Sequence, residues 1–259
     1  MNIKSQLVKI EAINYFVKGK KVYTDPHYIE VQKKDQAEKA TRTKRNDVIN
    51  YLLSLKQEQT CYLEIGVRNP ADNFNHIEAT QKYSVDPGLA FKLNPVDFKM
   101  TSDAFFDKLA KNEVLSKDTK FDVIFIDGLH LAEQVDKDII NALNYLKEDG
   151  FVVLHDCNPP SEWHAREAHS YKHTPAGPQW NGTTWKAFFK WRCNPSVNSC
   201  CINSDWGVGV VSKKAALGKS IPQTNPFFEF YLLDQHRKEH LNLVDFEMFK
   251  QLVKATNSK

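Results

Sequence analysis

Apolar positions along this chain fall into two periods, and the change from one to the other marks its elements. Phe121-Asp122-Val123-Ile124-Phe125-Ile126 and Phe151-Val152-Val153-Leu154 are short apolar runs rich in β-branched and aromatic residues, which predicts buried strands. Between them the apolar residues Leu131, Val135, Ile139, Ile140, Leu143 and Leu146 recur at helical spacing with charges between. Glu148-Asp149-Gly150 is the predicted stop, because glycine tolerates a left-handed conformation past a helix end. A strand, helix and strand of this length form a right-handed crossover in a parallel sheet, so both strands finish at one edge. Asp127-Gly128-Leu129-His130 and His155-Asp156 would then meet there, where open α/β sheets bind ligands.

The rest of the chain extends this pattern. Val31 to Gln59 reads as a helix with an apolar stripe at Val48, Ile49, Leu52, Leu53 and Leu55, leading into a strand at Cys61-Tyr62-Leu63-Glu64-Ile65-Gly66. A loop (67–73) and a short helix (Phe74 to Thr80) precede a second strand, Lys82 to Val85, that ends in Asp86-Pro87-Gly88. Val96 to Met100 reads as a third strand. Thr101-Ser102-Asp103 opens a helix that runs to Leu115, with Ser and Asp as candidate caps. The segment from Cys157 to Thr183 has the length of a lid or binding loop and carries His164, Arg166, His169, His173, Trp180 and Asn181. A helix (Thr183 to Arg192), an antiparallel pair (Val197 to Ile202, Gly207 to Val211) and an aromatic, helical tail (Phe227 to Val253) complete the reading. Tyr15, Phe16, Tyr23 and Tyr28 show no clear period and are expected to pack on the domain or cover its site. The organisation expected is an N-terminal extension (1–44), one α/β domain (45–212) and a C-terminal helical tail (213–259).

Composition narrows the function classes. Hydrophobic content of 41% and charged content of 26% are ordinary for a globular protein, and the net charge of +3 is spread along 259 residues. No stretch is both basic and aromatic, so no nucleic-acid partner is expected, and the run Lys39, Arg42, Lys44, Arg45 reads as a solvated face. No apolar run approaches the roughly 20 residues that span a bilayer, and Met1 to Lys21 lacks the apolar core of a signal peptide. Five cysteines without framework spacing read as free thiols, and the expected location is the cytoplasm.

The spacing of the acids suggests the ligand. Glu64 and Asp86 close the first two strands at about the separation of a dinucleotide fingerprint from its ribose-binding acid. A pyrophosphate cradle asks for Gly-x-Gly-x-x-Gly, however, and Gly66 is followed by Arg68 and Asn69. The departure favours an adenosine ligand without a diphosphate. A nicotinamide-dependent oxidoreductase and a non-catalytic nucleoside-binding module are the alternatives on this architecture. Base methylation is disfavoured, since Asn158-Pro159-Pro160 is followed by Ser161 where an aromatic must stack on a flipped base.

Taken together, Leu63-Glu64-Ile65-Gly66, Val85-Asp86-Pro87, Thr101-Ser102-Asp103, Ile126-Asp127-Gly128-Leu129-His130 and Val153-Leu154-His155-Asp156 resemble the class I S-adenosylmethionine-dependent methyltransferases. The branch they resemble holds catechol O-methyltransferase-like enzymes and bacterial methyltransferases of small molecules and surface glycans. The resemblance covers roughly residues 45–212. It implies a Rossmann-like α/β fold, a mostly parallel seven-stranded sheet with helices on both faces and an antiparallel closing strand. It implies Glu64 and Gly66 beside the methionine moiety, Asp86 on the ribose, Ser102 and Asp103 near the adenine, and Asp127 with Gly128 below the sulfonium.

The activity implied is O-methylation of a small polar metabolite or glycan, with a homodimer as the candidate assembly. His155 and His130, with Asp127, are the candidates for taking the acceptor proton, since imidazole titrates near neutrality. Catechol-type relatives bind Mg²⁺ through carboxylates that match Asp127 and Asp156, but Cys157 stands where they carry Asn, and Asn158 lies one further on. His130 and His155 would suit a transition metal instead. Trp, Arg and Lys of the long loop and the next helix are expected to hold the acceptor.

Overall fold

The structure, a computed structural model, describes residues 10–56 and 59–257. Seven strands form one sheet: β1 (Cys61–Ile65), β2 (Gln81–Val85), β3 (Phe121–Ile126), β4 (Leu146–Leu154), β5 (Asn198–Ile202), β6 (Val208–Ser212) and β7 (Leu243–Val244). Their order is β2-β1-β3-β4-β6-β5-β7. Only β6 runs against its neighbours, and the other pairings are parallel. This is the mostly parallel Rossmann-like sheet that the sequence predicts.

The helices are α1 (Glu11–Tyr23), α2 (Pro26–Lys39), α3 (Arg45–Ser54), α4 (Ser102–Ala110), α5 (Ala132–Tyr145), α6 (Thr184–Arg192), α7 (Phe230–Gln235), α8 (Arg237–Leu241) and α9 (Phe246–Asn257). Successive strand residues point to opposite faces, and both faces are covered. Leu63, Ile124, Val152 and Leu154 pack with Phe105 and Leu109 of α4, Ile139 of α5 and Trp185 and Phe188 of α6. Tyr62, Val123, Phe125 and Val153 pack with Ile49 and Leu52 of α3 and Phe249 and Val253 of α9. Burial on two sides explains why β3 reads as a nearly unbroken apolar run. Asp122 is its polar exception: its carboxylate accepts from Cys61 N (2.8 Å) and Lys147 Nζ (2.9 Å), tying the starts of three strands together.

Several expectations are corrected. The expected third strand at Val96 to Met100 is a single bridge, Val85 to Phe98, because Asp97 takes Ser84 N (2.9 Å) and Ser84 Oγ (2.7 Å) with its side chain. The seventh strand comes instead from the tail, where Leu243–Val244 pairs with β5. The helix expected from Val31 to Gln59 is two helices, its residues 57 and 58 lying outside the described residues. The break at 40–44 docks on the β5–β6 turn, with Ser204 Oγ donating to Thr43 O (2.7 Å) and Asp205 N to Thr41 Oγ1 (3.1 Å). The short helix expected at Phe74 to Thr80 is one 3-10 turn, Phe74–His76, after another at Pro70–Asp72. Gly150 is no helix stop: α5 ends at Tyr145 and Gly150 lies inside β4, where an added Cβ would come within 2.7 Å of Leu146 Cγ. Residues 11–23, which show no clear period, form a regular helix. All five cysteines are free thiols. Among the described residues no helix is long and apolar enough to cross a membrane.

Candidate active site

The sheet brings the strand exits together by register. Ile65 lies beside Val85 and Ile126, and Ile126 beside Leu154. The ladder runs one residue further, with Gly66 N donating to Val85 O (2.9 Å), Asp127 N to Ile65 O (2.9 Å) and His155 N to Ile126 O (3.2 Å). Glu64, Gly66, Asp86, Ser102, Asp103, Asp127, Gly128, His130, His155 and Asp156 therefore line one cavity of about 730 Å³. That volume lies in the range of about 300–1,000 Å³ usual for small-molecule sites.

Gly66 is fixed by packing. Its φ is +86°, and a Cβ there would lie 2.3 Å from Gly128 Cα and 2.4 Å from Asp127 O. The two exits touch through backbone, which leaves the crevice floor open to a ligand. Asp86 follows β2, its Oδ2 accepting from Arg68 N (2.8 Å) and its Oδ1 from Gly88 N (2.6 Å). These amides orient the carboxylate and leave further lone pairs for a diol. Between β1 and β2 stand only 3-10 turns, so no α-helix N-terminus faces the crevice from this crossover to receive a diphosphate.

Glu64 is 1% exposed. Its Oε2 accepts from Tyr62 Oη (2.7 Å) and Asn73 Nδ2 (2.9 Å). Burial pushes its carboxyl up to about 7 against these two donors, so it is poised to ionise beside an incoming cation. At the far end Thr101, not Ser102 or Asp103, caps α4 by accepting from Ala104 N (3.3 Å). Ser102 and Asp103 are thereby free to accept from Gln134 Nε2 (3.2 and 2.9 Å), which also reaches Asp138 (3.1 Å).

The opposite end holds the histidines and a residue the sequence reading misplaced. Arg45, expected on a solvated face, is the first residue of α3 and points into the crevice. Its Nη1 lies 2.9 Å from His155 Nε2 and 3.2 Å from Asp205 Oδ2, and its Nε is 3.8 Å from Asp127 Oδ2. His155 Nδ1 faces Asp127 Oδ1 (3.3 Å) and Asp156 Oδ2 (3.4 Å). Burial and Arg45 oppose the imidazolium form, and Asp156 and Asp127 outweigh them, raising the proton affinity of the ring. Its Nε2 meets Asp205 Oδ2 (3.5 Å) as well as Arg45, while Nδ1 lies between the two carboxylates.

His130 Nε2 faces Asp127 Oδ1 (3.4 Å) and its Nδ1 faces Asp156 Oδ2 (3.0 Å). Burial disfavours its charged form, but the two aspartates outweigh burial and bring it up to about 9. Its ring stacks on Trp180 at 5.1 Å and 17°.

Asp127, His130 and Asp156 each place one ligand atom within 4.8 Å of the others. Two carboxylate oxygens and one imidazole nitrogen fit a divalent cation, with Mn²⁺ or Zn²⁺ better matched than the oxygen-seeking Mg²⁺. Asn158 is not in this set: its Oδ1 accepts from Arg237 Nη1 (2.6 Å) and its Nδ2 donates to Asn203 (3.0 Å). Asn181 donates to Asp156 Oδ1 (2.8 Å) instead.

The long loop covers this end of the crevice. Arg166, expected to hold an anionic acceptor, serves the loop itself, donating to the carbonyls of Trp163 (2.5 Å), Gln179 (2.7 Å) and Gly177 (3.2 Å). His164 is fully buried on Ser161 Oγ (2.8 Å), and burial lowers it to about 4. Trp180, His169, Gln179 and Trp206 remain to line the cavity.

Comparison with known proteins bears on this crevice. The family described as a methyltransferase domain matches residues 24–157, more than half of the chain. Among solved structures, an O-methyltransferase from Bacillus cereus in complex with SAH is 16% identical, with 80% of this chain and 100% of that chain covered and a TM-score of 0.38. The O-methyltransferase TomG from Streptomyces achromogenes, in complex with SAM, is 13% identical, with 82% and 99% covered and a TM-score of 0.41. The methyltransferase MycE of the mycinamycin pathway, in complex with Mg, SAH and mycinamycin VI, is 17% identical, with 80% and 59% covered and a TM-score of 0.39. No curated protein matches the chain.

Proposed function

The chain belongs to the methyltransferase-domain family, and on that premise we propose that this S-adenosylmethionine-dependent enzyme methylates a hydroxyl of a small polar metabolite or of a glycan sugar. The observation that carries the proposal is the shared crevice: Glu64, Asp86 and Asp127 close three neighbouring parallel strands and line one cavity. S-adenosylmethionine, when bound, supplies a methyl group activated by a positive sulfur. In this reading Asp86 holds the ribose hydroxyls, Ser102 and Asp103 lie against the adenine, Glu64 receives the α-ammonium, and Gly66 with Gly128 admits the ligand close to the backbone. A nicotinamide dinucleotide is disfavoured by the missing glycines and by the helix-free first crossover.

The chain's own part in the reaction is to align the acceptor and accept its proton. Alignment alone can supply roughly 7–11 kcal/mol of a barrier. His130 is the proposed base, because it is the more exposed of the two rings and lines the cavity on the Trp180 side. His155 is a positioning residue: it is the more buried of the two rings, held by Arg45 and Asp205 at Nε2 and by Asp127 and Asp156 at Nδ1. In the metal-dependent alternative a divalent cation held by Asp127, His130 and Asp156 would itself lower the pKa of an acceptor hydroxyl, with His130 then its ligand and not the base.

Two expected outcomes follow from the protonation states. Between about pH 5 and 7 Glu64 is protonated in the free protein, so an α-ammonium arriving beside it releases a proton. Calorimetry in buffers of different ionisation enthalpy should register that proton for S-adenosylhomocysteine and not for 5′-methylthioadenosine, which lacks the amino-acid end. Equal proton counts for the two ligands would remove Glu64 from the ammonium site. His130, raised to about 9, accepts a proton only when neutral. Methyl-transfer rate at saturating cofactor should therefore climb from pH 7 towards about 9. His130→Gln should lose both the activity and the slope, whereas a slope kept in that variant would assign it elsewhere.

The direct test is transfer of labelled methyl from S-adenosylmethionine to a panel of phenols, sugars and hydroxy acids, with chelator and with added Mg²⁺ or Mn²⁺. Labelled methyl ether in any of these classes supports the proposal. Tight cofactor binding with no transfer across the panel supports the non-catalytic alternative.

A further inference from the structure

Helix α1 contributes no buried residue to the fold. Turning 100° per residue, Ala12, Tyr15, Phe16, Gly19, Val22 and Tyr23 fall on one arc that contains no charge. The arc repeats at a spacing of seven: Ala12 with Gly19, Tyr15 with Val22, Phe16 with Tyr23. Tyr15, Phe16, Val22 and Tyr23 are 61%, 73%, 50% and 65% exposed. Ile13 and Val17, on the other side, are partly covered, as are Asn14 and Gly19. Tyr23 meets Tyr28 of α2 edge-on at 5.1 Å, and the rest of this stronger apolar edge stays open.

We infer that this face is an interface with a second copy of the chain, the two α1 helices packing antiparallel about a two-fold axis. Small and large residues alternate along the arc, so an antiparallel copy sets Ala12 against the Val22–Tyr23 end and Gly19 against the Tyr15–Phe16 pair. A parallel copy in register would set glycine on glycine and tyrosine on tyrosine, leaving a void beside a clash. Charge agrees with size. Glu11 opens the helix and Lys18, Lys20 and Lys21 lie in its second half, so antiparallel pairing brings the acidic end to the basic end. The helix dipoles also align favourably in that arrangement. An aromatic side chain buries about 150–250 Å². At these exposures the aromatics of two copies close roughly 800 Å², and Ala12 and Val22 bring the total to about 1,000 Å², the lower limit of a specific interface. The contact is isologous, so it closes at two copies and forms no fibre.

The test is sedimentation and light scattering of the full chain, with a reversible dimer expected at tens of micromolar. Tyr15→Asp with Phe16→Asp should give a monomer whose melting temperature and methyl transfer match the parent, since both side chains are more than half exposed and line no part of the crevice. Should that double variant fold poorly, cysteine coupling decides independently. Ala12→Cys and Tyr23→Cys chains should couple when mixed under mild oxidation and neither should couple with itself. Self-coupling of each single variant would overturn the antiparallel arrangement. A monomeric parent chain at these concentrations would overturn the interface. So would a monomer that sediments with anionic vesicles, a result that assigns the face to a lipid surface.

Discussion

Asp127→Asn is expected to lower the methyl-transfer rate constant by about 10²–10⁴-fold at saturating cofactor, the range of a lost acid–base group. Asparagine keeps the shape of the side chain and removes the charge on which three cations converge. His130 Nε2 lies 3.4 Å away, His155 Nδ1 3.3 Å and Arg45 Nε 3.8 Å. Those cations hold the Asp127 carboxyl well below the usual carboxylate range against the opposing effect of its burial. Without the charge, His130 loses part of what raises its proton affinity, so the residual activity should rise at lower pH than in the parent. The buried cations are left short of a counter-charge, a defect that costs about 3–5 kcal/mol when a buried pair is broken. The variant should therefore melt earlier, and its activity is to be read well below that melting temperature. Stopped-time assays from pH 6 to 10 on a sample shown to be folded would check this. A rate constant within a few-fold of the parent would remove Asp127 from the chemistry.

Gly66→Ala should be equally damaging for a different reason. Its φ of +86° disfavours any side chain, and the added Cβ would sit 2.3 Å from Gly128 Cα and 2.4 Å from Asp127 O. Both obstacles are backbone, so no rotamer change relieves them and the exits of β1 and β3 must separate. Backbone strain and overpacking together cost about 2–6 kcal/mol. The separation should also abolish cofactor binding, because the crevice floor is the contact that is forced apart. Gly128→Ala is the control. The nearest atoms to a Cβ at that position are 3.8 Å away, so folding should survive. Thermal melts and S-adenosylhomocysteine titration of the two variants side by side would check the contrast. Similar melting temperatures for both would contradict the packing argument.

The strands and their acidic ends were legible because their signals are local. A buried parallel strand must be apolar on both faces, and a charged residue directly after it can only lie at the sheet edge, so Asp86 and Asp127 announce themselves, as Glu64 does by being the one acid within β1. Arg45 does not, since a basic residue opening a helix reads alike whether it meets water or three aspartates. The one available signal was Asp205, whose carboxylate accepts from Arg45 N at 3.1 Å across 160 positions, a pairing that local patterns do not encode. The strand expected at Val96 to Met100 failed because a single side chain, Asp97, competes with the ladder for Ser84. Arg166 carried the composition of an anion site and proved to be the staple of its own loop. In α1 the seven-residue spacing was present all along. It was masked by Lys20 and by the mixed polarity around it, and only the exposure of Tyr15, Phe16 and Val22 in the folded chain separates the open edge from the rest.

Everything in the proposed activity depends on the crevice taking an adenosine that carries a sulfonium and not a diphosphate. Calorimetric titration of S-adenosylhomocysteine and of NAD into the parent chain and into Asp86→Ala measures this directly. The expected result is binding of S-adenosylhomocysteine to the parent, a loss of about 100-fold in Asp86→Ala from removal of two charge-assisted hydrogen bonds, and no binding of NAD. Binding of NAD without S-adenosylhomocysteine, or unchanged affinity in Asp86→Ala, would contradict it.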